Sequence, residues 1–218
     1  MTLCEYKSDV YDSLGDVAKM AEMVTKEEIN GIGKIILENG YGNQVMVALA
    51  HRHHDLASNE VMLEQKEKDV RVSKPVESKN LPINAFPNII FYGGNNNWYP
   101  IGYGIDEKID AWNDEKFLKS IAAYLILNNL QDKLTLTLKS KDDEEKKDGV
   151  HFVEYNYQDT RTSVMHSTAD KNAVKNAIKT TYGFNFGPEG QVEGYCFAQC
   201  IPNVDGRGGC IYKEHTKC

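Results

Sequence analysis

The sequence predicts an α+β fold: a mostly antiparallel sheet with about four helices packed against it, in a single domain over residues 1–218. Three observations predict it. Apolar residues recur at helical spacing in several stretches, strand-like alternation falls into hairpins, and helices separate those hairpins. That order argues against a doubly wound parallel sheet. The chain is 41% hydrophobic, 26% charged and 10% aromatic, the balance of an ordinary globular protein. A chain of this length buries roughly 70% of its unfolded surface and needs no staple merely to have a core.

The elements follow in order. Val10, Leu14, Val17, Ala21 and Val24 share one helical face. Thr25-Lys26-Glu27-Glu28 is a capping-box pattern flanked by Val24 and Ile29, so a second helix starts there and stops near Gly40. Gly31 and Gly33 weaken it, each by about 1 kcal/mol against alanine. Gln44 to His54 reads as a central strand, apolar on both faces at first, and Glu60 to Glu64 as its hairpin partner. Residues 73–106 are rich in Pro, Gly and Asn and read as long turns interrupted by short strands such as Asn88–Tyr92. A helix opens at Asn113-Asp114-Glu115 and runs to about Leu130. Leu134, Leu136 and Leu138 alternate with threonines in a strand. Val150–Tyr157 and Arg161–His166 form a hairpin, and Ala169–Thr181 a last helix with Ala173, Val174, Ala177 and Ile178 inward. Residues 190–218 are a Cys/Gly-rich tail. No internal repeat is visible.

Charge excludes some functions. The net charge is −7 and no basic stripe is present, which argues against nucleic acid and against an anionic membrane surface. No apolar run approaches the roughly 20 residues of a membrane span. The N-terminus has no secretory pattern, so a cytoplasmic location is the expectation.

Three of the six histidines lie in His51-Arg52-His53-His54-Asp55. On a regular strand His51 and His53 point to one side, their Cβ atoms about 7 Å apart. Two imidazoles so placed can share a divalent metal, zinc or iron being expected. Glu60, just across the turn, is the expected third ligand, with His151 and His166 as alternatives. A metal-free reading makes His54 or His53 a general base oriented by Asp55 or Glu60. Arg52 faces the other side and is a candidate anion contact. The same histidines also read as caps on a strand end. His51-x-His53 followed by Glu60 resembles the metal-binding motif of cupin barrels. It departs from that motif in the longer separation of His53 from Glu60 and in glycine spacing, so the family is not assigned.

The tail carries Cys196, Cys200, Cys210, His215 and Cys218. Zinc takes four such ligands in a tetrahedron, and short loops supply them in pairs. A disulfide or free thiols are the competing readings. The Tyr92–Pro100 segment offers Trp98 and Tyr99 as walls for a small-molecule ligand. No nucleotide-binding glycine motif and no hydrolase serine elbow is present. The functional expectation is a small-molecule enzyme with a His51/His53 metal site on a central strand. The competing expectations are a binding module with a stapled tail, and a metal-free His/acid or Cys/His enzyme.

Overall fold

Strand β2 (Val45–Leu49) is buried on both faces, and the reason sets the architecture. Val45, Val47 and Leu49 pack in a core shared with helices, while Met46 and Ala48 line an internal cavity. The neighbouring strand β7 (Leu134–Leu138) repeats the division: Leu134 and Leu136 join the helical core and Thr135 and Thr137 face the cavity. Period-two alternation thus separates an outer apolar face from a mixed polar lumen.

A computed structural model describes residues 2–105, 110–140, 150–172 and 174–201. The remaining elements are β1 (Thr2–Leu3), α1 (Ser8–Asp12), α2 (Val17–Glu22), α3 (Lys26–Glu38), β3 (Glu60–Glu67), β4 (Val70–Glu77), β5 (Phe86–Tyr92), β6 (Asn97–Gly104), α4 (Glu115–Leu127), β8 (His151–Tyr157), β9 (Thr162–Thr168), β10 (Ile178–Phe186) and β11 (Val192–Cys200). Strands β6, β3, β4, β9, β8, β11, β10, β2, β7 and β5 follow one another around a sheet that the β5–β6 pairing closes. The protein is therefore a closed ten-strand barrel with a few short helices, not the α+β sheet with four packed helices that the sequence suggests. Most pairings are antiparallel; β3–β6 and β8–β11 are parallel, and β1 adds a short parallel pairing to the start of β6. No helix among the described residues is long and apolar enough to cross a membrane.

The corrections have physical causes. Residues 70–104 hold three strands of seven or eight residues, where the sequence suggests short strands among long turns. Pro87 and Pro100 sit beside register shifts of the β5–β6 ladder, where a missing N–H is tolerated. Ile178 to Phe186 is strand β10, not the end of a helix, because its β-branched and aromatic residues pair along β11. Ala173, expected in that helix, lies outside the described residues. The first expected helix is two, α1 and α2, separated at Gly15 and restarted by Asp16, whose carboxylate accepts from the Lys19 amide at 3.0 Å. Strand β2 stops at Leu49, and its partners are β10 and β7 rather than β3. The Thr25–Glu28 capping box forms as read.

The chain also repeats itself, which composition conceals. Exchanging β2–β6 with β7–β11 leaves the strand-pairing map unchanged. The register shifts of β5–β6 recur at the matching places in β10–β11. Helix α3 leads into β2 as α4 leads into β7. Asn39 and Asn128 both cap by side-chain donation at 2.8 Å, to Ile35 and Tyr124. Gly40 and Asn129 both take the positive φ that follows. A pseudo-two-fold axis therefore passes between β2 and β7 and between β4 and β9.

Helices α2, α3 and α4 cover the outside of the barrel. Ile32 and Ile36 of α3 and Phe117 and Ile121 of α4 are fully buried there. The two glycines of α3 are where partners press in: a Cβ on Gly31 would strike the Tyr124 hydroxyl, and one on Gly33 the Phe184 ring. Helix propensity alone makes Gly33→Ala stabilising by about 1 kcal/mol. Overpacking reverses the sign, and Gly33→Ala is expected to destabilise by about 1–3 kcal/mol. Urea unfolding of Gly33→Ala and of Gly33→Ala/Phe184→Leu checks this. The double variant should recover part of the loss, and a raised midpoint in the single variant would contradict the packing.

Candidate metal centre

The barrel encloses a cavity of about 140 Å³, measured as room for the centres of water-sized molecules. A single water needs roughly 10–15 Å³ on that measure. The space suits several waters or one small ligand. His51, His53 and Glu154 line it together with Tyr11, Met62 and Phe197.

The two histidines come together because the strand ends. After Leu49 the chain leaves the sheet, and His51 makes only an isolated bridge to Gly15. Freed from alternation, the rings of His51 and His53 meet edge to face with centroids 4.6 Å apart. His51 Nδ1 lies 2.8 Å from the Leu49 carbonyl oxygen. A carbonyl only accepts, so the proton sits on Nδ1 and the Nε2 lone pair is left for another use. That Nε2 is buried and has no hydrogen-bond partner. His53 Nε2 lies 3.1 Å from Glu154 Oε2. Glu154 arrives on β8, where the parallel register with β11 sets it beside Cys200.

One ligand atom from each of His51, His53, Glu154 and Cys200 lies within 4.8 Å of all the others. Ligand atoms around one zinc-sized ion sit roughly 3–3.5 Å apart, given bonds of about 2.0–2.2 Å. Small side-chain rotations close that difference. Cys200 is disulfide-bonded, so its sulfur is not a thiolate in this form. The donors on offer are two imidazoles and a carboxylate, a set that holds a divalent ion and leaves positions open.

The electrostatics keep His51 and Glu154 in the forms a metal takes up, while the His53 Nε2 proton that faces Glu154 has to leave when an ion binds there. Burial, with the neighbouring His53, pulls His51 down to about 4, so its imidazole is neutral near pH 7. Burial alone would raise the Glu154 carboxyl, but the charge and hydrogen bond of His53 outweigh it and hold Glu154 below the usual range.

The other residues singled out in the sequence lie as follows. Glu60 is held by the Arg161 guanidinium, at 2.9 Å for one of its two contacts, and by the Ala57 amide. Arg161, then that amide, pull its carboxyl down to about 2. The structure does not bring it to the histidines. His54 turns away, with Nε2 3.2 Å from Ser163 Oγ. The Ser163 hydroxyl itself donates to Asn156 Oδ1. Burial and then His53 pull His54 down to about 4. Arg52 lines the cavity mouth but is paired with Asp12 and Asp55 at 3.1 and 3.2 Å. Asp55 is 93% exposed in its side chain. Trp98 is fully buried in the helical core, and Tyr99 packs on Gly93 with Lys7 over its ring. Neither lines the cavity among the described residues; Tyr11, Tyr103 and Phe197 supply its aromatic walls. His151 lies near Gln199, and His166 stacks on Tyr155.

Cys196 is a half-buried cysteine four positions before Cys200 on the same strand, with Sγ 3.5 Å from the Ala198 carbonyl oxygen. Such residues are roughly 13 Å apart along a strand, too far for both to hold one tetrahedral zinc. Cys210, His215 and Cys218 lie outside the described residues.

Glu154 is the site residue that the sequence reading passed over. The signal is its position: in Phe152-Val153-Glu154-Tyr155-Asn156 the acid shares a face with Phe152, which stacks on Phe197. A solvent-facing acid gives the same alternation, so only the barrel pairing distinguishes them.

No protein-family profile, curated protein or solved structure matches the chain. The functional reading therefore rests on the geometry.

The buried histidines carry a prediction. With His51 and His54 at about 4 when folded against 6.5 ordinarily, the unfolded chain binds more protons between those values. Their contribution to stability is complete above about pH 6.5 and is lost as pH falls toward 4. The urea midpoint should be level from pH 7 to 8 and drop from 6.5 to 4, less steeply in His54→Gln. A midpoint that stays level through that window would show that these rings are not held neutral.

Proposed function

We propose that this protein is a metal-dependent enzyme acting on a small molecule held inside the barrel, with His51, His53 and Glu154 binding a divalent transition metal. The observation that carries this reading is their convergence on one cavity wall, with the His51 Nε2 lone pair buried, unpartnered and fixed in tautomer. The Leu49 carbonyl plays the part that an outer hydrogen bond plays for a metal-bound histidine: it sets ring orientation and leaves the other nitrogen to coordinate. His53 is aimed by the same carboxylate that would share the ion. Zinc or iron fits this donor set, and the bound ion would supply Lewis acidity or an activated water at its open positions. The chain's own residues shield the site in part: the His53 and Glu154 side chains are 11% and 16% exposed. Tyr11 and Arg52 stand at that wall to limit what enters.

The test is metal analysis of untagged protein after exposure to zinc or iron(II) and desalting. A single equivalent is expected in the parent. Glu154→Gln should weaken affinity by at least about 10–100-fold, since it removes a first ligand where even outer partners are worth that much. His51→Ala/His53→Ala should retain none, with an unchanged circular dichroism spectrum. Equal metal in parent and double variant, or none in either, would sink the proposal.

A further inference from the structure

The pseudo-two-fold points to a second polar end of the same cavity. The exchange that carries β3 onto β8 carries Glu64 onto Glu154, and both carboxylates line the cavity. Around Glu154 the partners are histidines. Around Glu64 they are Arg71, at 3.8 Å, and Asn88, whose Nδ2 is 3.5 Å from Glu64 Oε1. A carboxylate only accepts, so the Asn88 amide is oriented with Nδ2 toward Glu64 and Oδ1 away from it. Asn88 is 9% exposed, and its buried Oδ1 has no hydrogen-bond partner.

The related half shows that the backbone does not require this. The position matching Asn88 is Thr180, whose hydroxyl donates to the Ala198 carbonyl at 3.3 Å. The position matching Gly102 is Ala198. In the first half, therefore, an asparagine replaces a satisfied threonine, and a glycine replaces the alanine facing it. A Cβ on Gly102 would lie 3.1 Å from Asn88 Oδ1. The glycine keeps the space in front of that oxygen open. A buried carbonyl oxygen left unpartnered carries a desolvation penalty that a ligand donor would relieve.

We propose that Asn88 and Glu64 form the recognition end of the cavity, taking the N–H or O–H donors of a neutral small molecule with an apolar body, such as a carboxamide. Arg71, the cation at this end, is paired with the Glu64 carboxylate, and the polar atom left unmet is the Asn88 Oδ1 acceptor, which favours a donor head over an anionic one. Met46, Met62, Met165 and Ile89 line the cavity as an adaptable apolar wall for the body. The assignment specifies the ligand class of the function proposed above and rests on that reading only for what the ligand's other end meets.

The experiment is calorimetric titration of the full chain, metal-free and metal-loaded, with hexanamide, with methyl pentanoate as its donor-less counterpart, and with hexanoate. Hexanamide should bind most tightly in both states. Asn88→Thr and Gly102→Ala each install the residue that the other half already accommodates. Each should weaken hexanamide by about tenfold, the worth of one buried hydrogen bond, and leave methyl pentanoate unchanged. Two variants keep the test alive if one misfolds. Amide binding that depends on Asn88 in a protein that takes up no metal would uphold this inference while the metal proposal fails. No binding of any probe, equal binding of amide and ester, tighter binding of hexanoate, or hexanamide affinity unchanged in Asn88→Thr would overturn it.

Discussion

Closing ten strands into a ring leaves no unpaired edge among them, and it divides the residues of every strand between a lumen and an outer wall. That division is the constraint on which the rest depends. The outer wall of β2, β7 and β10 must be apolar because α2, α3 and α4 lie on it, with Val47, Leu136 and Phe184 in that layer. The lumen is under no such demand. Thr135, Thr137, Thr180, Glu64 and Glu154 point where a two-layer sandwich would need hydrocarbon, and a cavity remains among them. A barrel of this kind stabilises itself from outside and keeps its interior for chemistry.

The histidine pair exists because β2 stops early. Within a strand, His51 and His53 would be held about 7 Å apart; out of it, their rings meet edge to face and His53 contacts Glu154. The short segment pays no backbone penalty that the structure leaves open: the Gly15 bridge, the Gln158 side chain on the His53 carbonyl, and Arg161 on the Asp55 carbonyl all tie it down. Glu60, which a local reading assigns to the site, instead pairs with Arg161 and anchors the loop that presents the histidines.

What was legible in the sequence was local. The Thr25–Glu28 box, the Asp114-capped α4, the Leu/Thr alternation of β7 and the β8–β9 hairpin all form from neighbours in the chain. The clustering of His51 and His53 was equally visible. Barrel closure was not, because β2–β10, β4–β9 and β5–β7 join distant segments with no marker in either. Prolines disguised β4 to β6, and those of β5 and β6 lie beside register shifts. Glu154 reaches the histidines only through the β8–β11 pairing and the barrel's curvature, and nothing near His53 announces it. The internal repeat was hidden for a different reason: its two halves keep pairing registers and caps while changing nearly every side chain, as Gly40 and Asn129 illustrate.

Those changed side chains carry the functional argument. Where the halves agree, at the asparagine caps, the positive φ positions and the bulges, the backbone needs the feature. Where they disagree inside the lumen, geometry is common to both and chemistry is not. Glu64 and Glu154 occupy matching positions, yet one faces a guanidinium and an amide and the other two imidazoles. Arg71 matches Ser163, which His54 contacts. A fold that only needed to fill its interior would have no use for two carboxylates with different partners. On the function proposed above, one cavity with two unlike ends would orient a small molecule, one end held and the other presented to the histidines.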